Sequence, residues 1–140
     1  MFSEIVTLNQ IDNITKRIIP LINKGKHIIT LSGDLGAGKT TFIKHLLKNF
    51  DINQDEITSP TFNLLNIYTN QTYQIWHYDL YRLNSAEEIF NLNFDEALAQ
   101  KLVIIEWPEI IKQYLPSKHI AIKIEILNQD QRQYIIQILN

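Results

Sequence analysis

The sequence predicts an α/β fold, a P-loop NTPase-like mixed sheet flanked by helices, with antiparallel hairpins. Two short apolar runs, residues 28–31 and 102–105, have the length and composition of strands that are buried on both faces. Segments with helical spacing of apolar residues flank the first run. Alternating segments joined by polar turns indicate hairpins. Together these observations favour a sheet with parallel central strands and antiparallel additions.

The first half of the chain alternates between helical and strand patterns. Residues 9–22 carry apolar side chains three and four positions apart, which predicts one helical face, with Pro20 blurring the end of the helix. A buried strand is predicted at 28–31, and helical spacing resumes over 41–50. The glycine-rich segment between them therefore lies at a strand-to-helix junction.

The second half predicts two hairpins around another buried strand. Residues 62–68 and 73–78 flank a polar turn and predict the first hairpin, and residues 120–126 and 134–139 predict the last one. Ser85 and Asn93 each begin a pattern typical of helix N-terminal caps, which predicts two short helices. The run 102–105 ends at Glu106 and is expected beside the first buried strand.

Composition indicates a folded protein without cysteine chemistry. The 140 residues, 45% of them hydrophobic, suit a single domain spanning 1–140. The absence of cysteine excludes disulfides, thiolate zinc sites and a thiol nucleophile. The N-terminus lacks the order of a signal peptide, and no apolar run approaches the roughly 20 residues that span a membrane. We therefore expect a cytoplasmic protein with no membrane contact.

The charge of the chain argues against direct binding to nucleic acid. A net charge of −2 leaves no broad basic surface. Any contact with nucleic acid is therefore expected to be local or made by a partner protein.

A phosphate-binding motif, G-x-x-x-x-G-K-[ST], occupies the strand-to-helix junction. Its glycines let successive backbone N–H groups face a phosphate, its lysine reaches the β- and γ-oxygens, and its threonine offers a hydroxyl to magnesium. The alternative is a chance glycine turn, but three of the four glycines of the chain fall within these eight positions. The predicted ATP-binding residues are Gly33, Asp34, Leu35, Gly36, Ala37, Gly38, Lys39 and Thr40, with Thr41 as a possible helper.

Carboxylates at the ends of later strands are candidates for the metal and the attacking water. Glu106 ends the second buried strand, and Asp79 ends a hairpin strand. A carboxylate at such a place can hold magnesium through water or polarise the attacking water. A solvated charge at the strand end is the alternative for Glu106, and an edge-strand terminus is the alternative for Asp79. Trp107, beside Glu106, is either a nucleotide contact or a core residue.

The segment 58–62, Thr-Ser-Pro-Thr-Phe, lies where a switch segment would fall. A hydroxyl on a turn stiffened by proline, such as that of Thr61, could sense the γ-phosphate and magnesium. A plain turn into the next strand is the alternative, and spacing alone slightly favours it.

These motifs make the chain resemble the TsaE family, bacterial ATPases needed to make threonylcarbamoyladenosine on tRNA. The resemblance rests on residues 31–41, 58–62, 78–83 and 103–109 and extends to about residue 116. It implies that Thr40 and Glu106 serve magnesium, that Thr61 and Asp79 lie close to the reacting phosphate, and that TsaB and TsaD are partners. The tRNA would then be reached only through that complex. Ile11 departs from the family, because many members carry a threonine there near the adenine.

Three other functions are considered, and two of them remain as alternatives. A GTPase would need an Asn-Lys-x-Asp motif, which is absent. A small-molecule kinase usually carries a mobile lid with arginines, whereas this chain has only three scattered arginines. A nucleotide-gated interaction module without significant hydrolysis stays open, because ATP could merely fix the shape that a partner recognises.

Overall fold

The computed structural model describes residues 1–60 and 63–140. The strands are β1 (Phe2–Val6), β2 (Ile28–Ser32), β3 (Leu65–Thr69), β4 (Gln74–Asp79), β5 (Leu102–Glu106), β6 (His119–Ile126) and β7 (Arg132–Leu139). The α-helices are α1 (Ile11–Asn23), α2 (Lys39–Leu47) and α3 (Phe94–Ala97). Short 3₁₀ helices include Ala86–Leu92 and Pro108–Tyr114. Within the described residues, no helix has the length and apolar character needed to cross a membrane.

The strands form one mixed sheet in the order β1-β7-β6-β2-β5-β4-β3. β2 runs parallel to β5 and to β6, and β4 runs parallel to β5. The outer pairs β3–β4, β6–β7 and β1–β7 are antiparallel. The mixed sheet, the two terminal hairpins and the adjacency of the two buried strands are thus confirmed.

Helices and short segments cover the two faces of the sheet and divide the core. On one face, the apolar side of α1 and much of α2 pack with Ile29, Leu31 and Ile104. On the other face, Val103 and Ile105 pack with α3 and the nearby 3₁₀ segments. Because β2 and β5 are covered on both faces, their sequences are apolar runs rather than alternating patterns.

The elements depart from the sequence predictions in a few places. β1 was not predicted, and Pro20 lies inside α1, which continues to Asn23. The two short helices exist, but the predicted capping is wrong. Asn93 adopts a left-handed backbone conformation, and neither it nor Ser85 caps a helix with its side chain. Asn93 joins two helical segments, and asparagine tolerates the left-handed conformation that the turn requires. Phe62, the predicted start of β3, lies outside the described residues.

Candidate active site

The P-loop connects β2 to α2 at the centre of the sheet. At two of its positions the backbone conformation requires glycine. A Cβ atom on Gly33 would lie 2.5 Å from the carbonyl oxygen of Ile124, and the residue has a φ of +146°. Gly38 has a φ of 103° and immediately precedes α2. The glycines thus let the chain turn tightly, so that the N-terminus of a helix closes the loop, which is the arrangement that binds phosphate.

Lys39 folds back over the loop. Its ammonium donates hydrogen bonds to the carbonyl oxygens of Gly33 and Asp34, at 2.7 and 3.1 Å, and lies 4.4 Å from the centre of the Trp107 ring. Burial lowers the pKa of Lys39, and the charge of Glu106 acts against this shift. The cation is therefore held by neutral oxygens and an aromatic face at the place where the motif predicts a phosphate.

The two candidate carboxylates lie side by side. β4 and β5 are parallel, and their register pairs Asp79 directly with Glu106 at the carboxyl ends of the strands. Leu31 of β2 is paired with Glu106 on the other side, just before the P-loop. The Glu106 residue is only 2% exposed. Burial, and then the charge of Glu106, raise the pKa of the Asp79 carboxyl group.

The Ser59 hydroxyl reaches the P-loop. Its oxygen lies 2.5 Å from the hydroxyl oxygen of Thr40, the predicted magnesium ligand. Thr61, the hydroxyl residue singled out from the sequence, lies outside the described residues. The signal for Ser59 was present in the sequence, because it shares the segment with Thr61 and immediately precedes Pro60.

One cavity of about 300 Å³ brings most of the predicted site residues together. Its walls include the P-loop, both candidate carboxylates, the Ser59 hydroxyl and the indole next to Glu106. The lining residues are Leu35, Gly36, Gly38, Lys39, Thr40, Thr41, Ser59, Asp79, Glu106 and Trp107. Gly33, Asp34 and Ala37 do not line it. The first two instead supply the carbonyls that hold Lys39.

A second cavity, of about 240 Å³, lies on the other side of the P-loop. Ile11, Thr41 and Tyr134 line it, together with Arg132. The Arg132 Nε donates a hydrogen bond of 3.1 Å to the carbonyl oxygen of Ala37. The pairing of β7 with β6 in the terminal hairpin brings Arg132 to the P-loop.

The oxygen atoms around the first cavity suit magnesium. Thr40 and Ser59 supply hydroxyls and Asp79 and Glu106 supply carboxylates, and hard oxygen donors are those that magnesium prefers. In the described part of the chain, no group of three or more His, Cys, Asp or Glu side chains is arranged to hold a metal by itself.

A family model described as threonylcarbamoyl adenosine biosynthesis protein TsaE matches residues 5–134. The chain belongs to the TsaE family. The match extends further toward the C-terminus than the motifs recognised in the sequence, and it includes β6 and the start of β7. Members of the TsaE family take part in tRNA threonylcarbamoyladenosine biosynthesis.

Individual TsaE proteins agree with this assignment. That of Rickettsia felis is 46% identical over 121 residues, covering 84% of this chain and 71% of the relative. That of Treponema pallidum is 36% identical over 117 residues, covering 83% of this chain and 84% of the relative. A crystal structure of YdiB from Bacillus subtilis superposes with a TM-score of 0.67 at 26% identity, covering 99% of this chain and 86% of that chain. The P-loop NTPase-like fold is thereby confirmed.

Proposed function

We propose that this TsaE chain is a cytoplasmic, magnesium-dependent ATPase that acts with TsaB and TsaD in forming the threonylcarbamoyl group on adenosine of tRNA. One observation carries the proposal. Lys39 and Thr40 of the P-loop share a cavity with Asp79 and Glu106 at the N-terminus of α2. A cation, a hydroxyl and two carboxylates around a helix N-terminus are the groups that phosphoryl transfer from a nucleotide requires.

Each of these residues has a distinct role in the proposal. Lys39 leaves its two carbonyl partners and binds the β- and γ-phosphate oxygens. Thr40 and Glu106 hold magnesium, Glu106 directly or through water, and Asp79 lies beside them to orient the attacking water. Magnesium, when bound, neutralises charge that develops on the phosphate oxygens. Thr61 is kept as a candidate next to the reacting phosphate on family resemblance alone.

The second cavity is the proposed place of the base. It adjoins the P-loop and is lined by apolar and aromatic residues that include Ile11, Ala37 and Tyr134, and neither candidate carboxylate lines it. Its polar lining residues are Thr7, Thr41, Gln129, Asp130 and Arg132. Apolar and aromatic walls with a few polar groups are typical of small-molecule sites. Ile11 supplies apolar contact where many TsaE proteins carry a threonine, so we propose that the base is held here by packing.

A nucleotide-gated interaction module without significant hydrolysis is the second candidate function, and one observation favours it. The P-loop groups that the proposal assigns to the phosphates and to magnesium, those of Lys39 and Thr40, both have partners within the protein. Lys39 is bonded to the loop carbonyls, and Thr40 is bonded to Ser59. Nucleotide binding must exchange these contacts, and an exchange of this kind can change the surface that a partner recognises without any hydrolysis.

Phosphate release by the purified complex with TsaB and TsaD distinguishes the two functions. Lys39→Ala should weaken ATP binding by about 10- to 100-fold in calorimetry, since it removes charge-assisted hydrogen bonds. Glu106→Gln should instead reduce turnover by about 10²-fold or more with near-normal ATP affinity. ATP binding by the unmodified complex without steady phosphate release above the Lys39→Ala background would favour the gating module. Unchanged affinity and rate in Lys39→Ala would refute the P-loop assignment.

A further inference from the structure

His77 is a wholly buried polar side chain on β4, and the proposed function does not use it. A buried imidazole needs hydrogen-bond partners for both ring nitrogens. The Nε2 atom lies 2.6 Å from the Oε2 atom of Glu106, and the Nδ1 atom lies 3.3 Å from the hydroxyl oxygen of Tyr68. His77 therefore bridges the candidate catalytic carboxylate and a tyrosine on the edge strand β3.

Strand register fixes this bridge. His77 is paired with Asn66 on β3 and with Ile104 on β5. Tyr68 and Glu106 are each two residues beyond those partners, so all three side chains project from the same face of neighbouring strands. The rings of Tyr68 and His77 also stack, with centres 6.1 Å apart and an interplanar angle of 29°.

The bridge continues from Tyr68 to the segment that contacts the P-loop. The carbonyl oxygen of Thr58 lies 3.3 Å from the Tyr68 hydroxyl and 3.0 Å from the Asn66 amide nitrogen. Thr58 immediately precedes Ser59, whose hydroxyl is bonded to Thr40. A continuous path of bonded groups thus joins Glu106 on one side of the cavity to Thr40 on the other.

One arrangement of protons gives every donor in this path an acceptor. The two N–H groups of the Asn66 amide are donated to Thr58 and to the Tyr68 hydroxyl, 3.3 Å away. The Tyr68 hydroxyl lies 3.3 Å from both Thr58 O and His77 Nδ1, and in this arrangement it donates its single hydrogen to His77 Nδ1, so that the path reaches Thr58 through Asn66. The His77 Nε2–H is donated to Glu106. In this arrangement each hydrogen is donated to one acceptor only.

We propose that His77 and Tyr68 are positioning residues that fix the orientation of the Glu106 carboxyl group and tie it to the Thr58–Ser59 backbone. The inference rests on the proposed function, in which Glu106 serves magnesium and the attacking water. Groups outside the reacting atoms commonly act in this way, by holding a reactive side chain in one rotamer. The alternative is a core histidine whose hydrogen bonds only satisfy its burial.

Two substitutions separate positioning from mere burial. Tyr68→Phe removes the hydroxyl and keeps the stacked ring, and His77→Gln keeps an amide N–H for Glu106 but loses the Nδ1 group. Tyr78→Phe is the matched control. Tyr78 is also fully buried, and its hydroxyl donates a 2.7 Å bond to the Leu92 carbonyl oxygen in the core of the opposite face. Thermal unfolding of all three variants measures the loss of stability.

The first readout is the division of the effect between turnover and binding, measured with TsaB and TsaD present. Tyr68→Phe and His77→Gln should lower kcat by about 10- to 100-fold, the range found for groups that orient a reactive side chain. The Kd for ATP should stay within about twofold. Tyr78→Phe should leave both values unchanged. Adding Tyr68→Phe to Glu106→Gln should cost little more, because both changes act through the same carboxyl group.

The second readout needs no nucleotide. Amide hydrogen exchange over residues 56–60 should accelerate in Tyr68→Phe and His77→Gln, since each interrupts the path through His77, Tyr68 and Asn66 that holds Thr58, and should stay unchanged in Tyr78→Phe. Equal behaviour of Tyr68→Phe and Tyr78→Phe in both readouts, in a chain that still turns over ATP, would overturn this inference alone. Failure of the unmodified chain to bind ATP would instead overturn the proposed function, and this inference with it.

Discussion

Trp107 occupies an unusual backbone position beside the candidate carboxylate. Its φ and ψ of 57° and 56° are left-handed, which costs a bulky L-residue about 1–3 kcal/mol unless its surroundings hold it there. Its backbone N–H donates a hydrogen bond to the Leu31 carbonyl oxygen, and its indole ring contacts the Tyr81 ring, with ring centres 4.9 Å apart. These contacts hold the indole beside Lys39, and Trp107 also packs against the edge of the second core cluster, so its contact with a nucleotide stays a prediction.

Because the indole lies over Lys39, its fluorescence should report nucleotide binding. We expect the emission to change and then saturate as ATP and magnesium are added, since Lys39 must move from the ring toward phosphate. The only other tryptophan, Trp76, is replaced by phenylalanine to isolate the signal. Lys39→Ala in the same background is the control and should respond only weakly. A flat emission at nucleotide concentrations that calorimetry shows to be saturating would contradict this placement of the indole.

At this scale, sequence reasoning named residues that the structure brings into one cavity where the pattern is local, and their roles stay predictions. The P-loop residues could be named because the motif is contiguous, and Glu106 because its strand stops there. His77 and its link to Tyr68 were not found, because both read as ordinary strand residues. Their contact depends on the register of three strands, which the sequence pattern does not specify. Ser59 was one of several hydroxyls in its segment, and only the tertiary structure distinguishes it.

Among the elements, an ion-pair cluster joins the first turn of α1 to the C-terminal part of α2. Asp12, in the first turn of α1, lies 2.9 Å from His45 Nδ1 and 3.0 Å from the Lys48 ammonium, both beyond the middle of α2. The hydrogen bond from His45, and then that from Lys48, lower the pKa of Asp12. The cluster is partly exposed, so its contribution to the free energy of unfolding is discounted for solvent screening.

This cluster predicts a pH-dependent contribution to stability. A carboxyl pKa that is lower in the folded state stabilises the protein above the unfolded value, and that contribution is lost as the pH falls through the folded value. Asp12→Asn should therefore destabilise the protein by about 1 kcal/mol at pH 7, with the gap from the unmodified chain closing toward pH 3. Urea unfolding at pH 7 and at pH 3 measures the difference in the free energy of unfolding. Asp55→Asn, at an exposed residue, is the control. A gap of equal size at both pH values would show that the ion pair does not contribute.

Element types were more predictable than their ends. The helical spacing of α1 and the alternation in β6 each reflect a single buried face, which the order of apolar residues records. β1 was missed because a five-residue strand with only Val6 fully buried carries little pattern. The cap at Asn93 failed because the same residue types also favour left-handed turns. Whether such a residue caps a helix or forms a left-handed turn is decided by neighbouring elements, not by the local sequence.

For the whole molecule, the sheet order determines where the arginines lie. Arg17 is placed over the Phe2 ring of the edge strand, 3.4 Å from its centre. Arg132 is bonded to backbone carbonyls, among them that of Ala37, on the side of the proposed base cavity. Arg82 is exposed and lines a cavity together with Ser59 and Asp79. Of the three, Arg82 alone lies on the side of the candidate carboxylates.

This placement predicts that the isolated chain hydrolyses ATP slowly and that its partners accelerate it. Fast P-loop NTPases set an arginine against the charge that develops on the transferred phosphoryl group, for a gain of roughly 10³ to 10⁵ in rate. Neither Arg17 nor Arg132 lies on the carboxylate side, and the exposed Arg82 lies where it can dock or order a neighbouring surface. We therefore expect single-turnover hydrolysis to rise by about 10³-fold when TsaB and TsaD are added, the lower end of that range. Arg82→Ala should reduce this acceleration more than the rate of the chain alone, and Arg17→Ala, at the far edge of the sheet, should change neither. A fast rate in the isolated chain that collapses in Arg82→Ala would refute the partner-dependent account, because the protein would then supply its own arginine.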